Sequence, residues 1–166
     1  MVYTFTAGEQ PTADNMNDIF NQSLIIKAAP ETVTSSTALQ DDNDFSTVLG
    51  VGTWLIWLWA HVSGVEAGDI DMRWDFDGTG TIYRSSVGPT EAMTDRESCS
   101  MVMRGNVYDT EQRYGIDTTG STVIKEELCV VVTIAGTLKL RWAQGTSNGT
   151  GTELTTASRM WILNVA

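Results

Sequence analysis

The spacing of apolar residues changes character near Pro30. Ahead of it, Met16, Ile19, Phe20 and Leu24 recur at helical intervals. Thr12 can cap such a helix, and Asp14 would sit in its first turn, where the dipole favours a negative charge. A short amphipathic helix is therefore expected in this segment, preceded by a stretch in which Tyr3 and Phe5 alternate with Val2 and Thr4. From Glu31 onward the period drops to two, the signature of strands. Residues 32–37 are β-branched and polar, 39–44 read as an acidic turn, and a strand starts at Phe45. In residues 70–76, Ile70, Met72, Trp74 and Phe76 alternate with charged residues; in 138–142, Leu138, Leu140 and Trp142 alternate with Lys139 and Arg141. Further strands are expected at 99–104, 123–134 and 159–165, separated by turns rich in Gly, Asn and Asp. The pattern predicts a mainly β protein, an antiparallel sandwich or jelly roll over residues 31–166, with an N-terminal arm over 1–30 that holds one helix.

One strand breaks the simple alternation. Residues 51–62 are apolar on both faces, with Trp54, Ile56 and Leu58 on one side and Leu55, Trp57 and Trp59 on the other. An antiparallel sheet in a sandwich usually leaves one face to water. A strand with two apolar faces needs a second cover, either another layer or a neighbouring subunit. Six tryptophans in 166 residues add to that demand, because aromatic residues are enriched where subunits meet.

Composition narrows the function. Ten Lys and Arg stand against 21 Asp and Glu, a net charge of −11, which leaves little basic surface for a nucleic-acid backbone or an anionic membrane. The longest apolar run, residues 54–60, is far short of the ~20 residues of a spanning helix. Residues 1–6 carry neither a basic region nor an apolar stretch of a secretory signal, so synthesis and retention in a cytosol are expected. Cys99 and Cys129 lack metal-ligand spacing and lie among apolar residues, which reads as buried free thiols. A single histidine, His61, closes an apolar strand and offers no triad or zinc set. The run Asp75-Phe76-Asp77-Gly78 suggests calcium, but the loop register would put Arg73 at the first ligand and no Glu at the last. No metal or cofactor is expected. Two carboxylate pairs, Asp75 with Asp77 and Glu126 with Glu127, could be imagined in a glycosidase; neighbours on a strand point to opposite faces, so Glu126 and Glu127 cannot pair.

Three stretches together resemble structural proteins of tailed bacteriophages that carry a jelly roll similar to the tumour-necrosis-factor and C1q domains. They are residues 31–44, the Gly52-Thr53-Trp54 entry to the aromatic strand, and residues 138–148 followed by a terminal strand. The opening residues 4–9, with Thr12, Ala13 and Asn17, also resemble the start of phage tail and fibre chains. The resemblance implies a non-enzymatic virion protein made in the host cytoplasm: a homotrimer that decorates or cements a capsid. On this reading Tyr3, Phe5, Met16, Ile19 and Phe20 of the arm grip the lattice of the major capsid protein, and Trp57, Trp59, Leu140, Trp142 and Trp161 form the trimer interface. The alternative is a tail-associated, receptor-binding tip that holds glycans with the loops near Gly78 and Asn148. A fibre tip usually follows a long shaft, and none is present in these 166 residues, which favours the capsid reading.

Overall fold

A computed structural model of the chain describes residues 22–93 and 99–165. The expected sandwich is present as two antiparallel sheets. The larger sheet has the order β1 (Gln22–Ile26), β12 (Arg159–Asn164), β4 (Gly52–Ser63), β9 (Thr122–Ile134), β6 (Thr79–Pro89) and β7 (Met101–Asn106). Two short strands, β2 (Glu31–Val33) and β11 (Thr152–Leu154), extend it beside β4. The smaller sheet has the order β3 (Gln40–Leu49), β10 (Gly136–Ala143), β5 (Ile70–Phe76) and β8 (Gln112–Tyr114). From β3 to β6 the chain changes sheet at every step. The crossing from β5 to β6, two residues long, turns at Gly78. A side chain at Gly136 would stand 2.2 Å from the Gly78 nitrogen, so close a backbone approach that only glycine fits.

Alternation decides what lies inside. Ile56, Leu58, Ala60 and Val62 of β4 and Ile124, Leu128 and Val130 of β9 face Met72, Trp74, Leu138, Leu140 and Trp142 of the smaller sheet, all fully buried. Leu140 and Trp142 therefore belong to the chain's own core, which corrects the expectation that they meet a partner. The smaller sheet has one apolar face and spends it on this core; the residues between them, Lys139 and Arg141, point outward.

Two more expectations change. Residues 41–44 are part of β3 rather than a turn, because each acid finds a cation: Asp41 lies 3.2 Å from Lys139, and Asp42, buried, lies 2.7 Å from Lys27. The boundary at Pro30 also moves. Gln22–Ile26 pairs with β12 from Gln22↔Leu163 to Ile26↔Arg159, and Lys27, 2% exposed, also reaches Glu31 at 3.1 Å. Burial, the largest single influence, opposes the Lys27 charge, but the hydrogen bonds and charges of Asp42 and Glu31 together outweigh it and its pKa is raised. Residues 22–30 are thus part of the sandwich, and Leu24 lies on a strand, not on a helix. The remaining residues of the expected helix lie outside the described residues.

Candidate functional site

The residues on the outer face of the larger sheet follow from strand register. One cross-strand row runs Ile26, Arg159, Trp59, Lys125, Val87 and Met103, each directly opposite the next. The adjacent row runs Leu24, Trp161, Trp57, Glu127, Ser85 and Gly105. Trp57, Trp59 and Trp161 are brought together and remain half-buried. Trp59 and Trp161 pack edge to face, with ring centroids 5.3 Å apart and planes at 70°. Around them, Leu24, Ile26, Tyr83, Met101 and Met103 are each more than half exposed, Met103 at 79%. A groove of about 250 Å³ runs between Trp57, Trp59, Met103, Lys125 and Glu127. Exposed apolar patches are where proteins commonly meet partners.

The face also carries charge. The Lys125 ammonium stands 4.5 Å from the centroid of Trp59 and the Arg159 guanidinium 5.1 Å from it, both within cation–π range. The π-face satisfies these cations only in part. His61 lies on the same face of β4, half-buried, with Nε2 enclosed and lacking a hydrogen-bond partner. Burial, and secondarily the Arg159 charge, pushes its pKa down, so the ring is neutral at pH 7. The lysine, arginine and glutamate of this face carried no signal in the hydrophobic pattern alone. They could have been found by reading 123–127 as a strand whose odd positions share a face with the tryptophans.

Directly beneath the groove, on the inner face, Glu126 is 2% exposed. Its carboxylate accepts hydrogen bonds from Trp74 Nε1 at 2.5 Å, Arg84 Nε at 2.9 Å, Arg84 Nη2 at 2.6 Å and Tyr114 Oη at 2.8 Å. Gly88 makes room for Tyr114, since a side chain there would meet the ring at 2.6 Å. Burial opposes the Arg84 charge but Glu126 more than restores it; burial, then Glu126, pushes the Tyr114 pKa up. Four donors and a matched charge occupy this carboxylate, which ties residues of both sheets together in the core. Glu127, on the opposite face, is exposed, as strand alternation requires.

Other candidates disperse. Asp75 is held by Arg73 at 3.0 Å and Arg141 at 3.2 Å, and Asp77 accepts the Thr137 amide. Among the described residues no group of three His, Cys, Asp or Glu could hold a metal ion. Cys99 and Cys129 are free thiols and half-exposed, not buried. Gly78 lies beside Gly136 at one end of β5, whereas Asn148 lies at the other, tied to Ser35 and to Gln144 near Gly68. The two loops named for the glycan reading therefore lie at opposite ends of the smaller sheet. Tyr3, Phe5, Met16, Ile19 and Phe20 lie outside the described residues. Neither models of protein families nor curated proteins give a match to this sequence.

Proposed function

We propose that the chain is a non-enzymatic structural protein of a bacteriophage virion, a homotrimer that decorates the capsid and is anchored on the lattice of the major capsid protein by the residues ahead of β1. The observation that carries the reading is the outer face of the larger sheet. It presents Trp57, Trp59 and Trp161 with a flanking apolar rim, a surface that a second and third copy would cover. Support of a different kind comes from the acids. Glu126 is saturated by donors and Asp75 by cations, which leaves neither poised for catalysis.

Sedimentation of the full chain across micromolar concentrations, together with localisation of its density on intact particles, tests the proposal. A trimer on the capsid surface is the expected result. A monomer that stays monomeric in solution and on particles overturns the trimer; density on the tail alone overturns the decoration role. Removing residues 1–21 should leave the sandwich and its trimer while abolishing particle binding.

A further inference from the structure

Most of the cations among the described residues are settled within the chain. Lys27, Arg73, Arg84, Arg113, Lys139 and Arg141 each have an acid within ion-pair distance. Arg104, Lys125 and Arg159 make no ion pair among the described residues; Arg104 turns toward the Tyr114 ring, whereas Lys125 and Arg159 both turn toward Trp59 on the outer face. The Arg159 Nε is enclosed and has no hydrogen-bond partner. Glu127 also makes no ion pair among the described residues, although it stands on the same strand and face two positions from Lys125. A strand places such neighbours roughly 6.5–7 Å apart, near enough for long side chains to meet had they turned toward each other.

We infer that Glu127 of a second copy of this chain seats on the Lys125, Trp59 and Arg159 cluster, and that this intersubunit ion pair sets the register of the homotypic interface. The inference rests on the oligomer proposed above and adds the polar contact that orients it. Covering this face with an apolar surface would strip water from two cations without replacing it, a cost that a carboxylate removes. A second copy supplies one at the right place. Because each copy carries both the cations and Glu127 on one face, a copy that receives a carboxylate from one neighbour can offer its own to the other, the head-to-tail arrangement that closes a ring. The overall charge of −11 points the same way, since subunits that repel at large need a local attraction to choose one orientation.

Charge reversal in the full chain tests this. Lys125→Glu and Glu127→Lys are made singly and together, and assembly is followed by sedimentation at low and high salt, with near-ultraviolet circular dichroism confirming each fold. Each single change should raise the concentration needed for assembly about tenfold or more, and the double change should restore most of the loss. Lys125→Gln and Glu127→Gln, which introduce no repulsion, should give smaller losses that high salt erases in the wild type as well. If Glu127→Lys assembles better than the wild type, only net charge matters and the inference fails. It also fails if both single reversals assemble normally. A wild-type chain that is monomeric at every concentration overturns the oligomer itself, a result separate from either of these.

Discussion

The two outer faces of this sandwich are built from the same strand alternation and have opposite finishes. On the smaller sheet, Lys139 and Arg141 of β10 point away from the core and meet Asp41 and Asp75 on the strands either side, at 3.2 Å for both Lys139–Asp41 and Arg141–Asp75. Arg113 of β8 forms a two-pronged pair with Asp71 of β5, 2.9 Å at each contact. On the larger sheet the corresponding positions hold tryptophans, methionines and three charged groups with no ion partner among the described residues. One face is complete in water. The other carries an apolar patch and charges that find no ion partner among the described residues.

The difference separates two uses of tryptophan. Trp142 on β10 and Trp161 on β12 have the same side-chain volume, yet Trp142 is fully buried and donates to Asp42 at 3.2 Å, while Trp161 lies half-exposed beside Trp59. Burial inside the chain fixes stability, and burial between chains fixes assembly.

The largest effect is expected where the larger sheet meets the core at its edge. Deleting residues 1–27 removes β1 and leaves Asp42 buried without Lys27, whereas deleting 1–21 spares both. Breaking a buried ion pair from one side costs about 3–5 kcal/mol, and losing the strand adds to it. Chemical denaturation should show the longer deletion unfolded or severely destabilised and the shorter one close to wild type. Equal stability would mean that β1 is not integral to the sandwich.

Next in size is the contrast between tryptophans. Trp142→Ala should lose about 3–5 kcal/mol of folding stability, as large aromatic truncations in cores do. Trp57→Ala should lose only about 1 kcal/mol in the monomer and should weaken assembly far more. Melting and sedimentation on the same two variants give both numbers. Comparable melting losses would erase the distinction between the faces.

Much of this organisation was legible in the sequence. Period-two alternation put Ile70, Met72 and Trp74 on one face of their strand and Leu138, Leu140 and Trp142 on one face of theirs, and the two-faced run 51–62 marked the strand whose outer face keeps half-buried tryptophans. Assigning Leu140 and Trp142 to a partner failed because periodicity tells which residues share a face but not which layer that face meets. The strand over Gln22–Ile26 was hidden because Leu24 also fits a helical spacing, and only pairing with β12 decides between the two periods. The acidic run 41–44 concealed a strand because its cations, Lys27 and Lys139, are distant in sequence.

A smaller effect tests whether the smaller sheet's polar finish is complete at its end. Asp69, 8% exposed, has an enclosed Oδ1 without a hydrogen-bond partner, and burial pushes its pKa up to about 6 against the opposing charge of Arg113. Glu91, Asp71 and Glu66 push in the same direction as burial. Since the folded protein holds this proton more tightly than the unfolded chain, stability is highest below the unfolded pKa of 3.8 and declines as pH rises through about 6. The decline amounts to at most about 3 kcal/mol. Asp69→Asn should be more stable than wild type at pH 7 by up to that amount, with the gap closing toward pH 4. A constant gap across this range would remove the ionisation from the account.

The smallest effect is the most direct comparison of the two faces, because it makes one substitution on each. Lys139 is 41% exposed and its partner Asp41 51%, so their pair is open to solvent and contributes about 0.2–1 kcal/mol. Asp41 also keeps Arg141 at 3.0 Å when Lys139 is changed, which reduces the loss further. Lys139→Met should therefore shift the midpoint of denaturation slightly and leave assembly untouched. Lys125→Met, which keeps the apolar stem over Trp59 and removes only the charge, should also leave monomer stability nearly unchanged while weakening assembly. If Lys139→Met disturbs assembly as much as Lys125→Met, the smaller sheet is also a contact surface, and its paired charges serve a neighbour as well as the water.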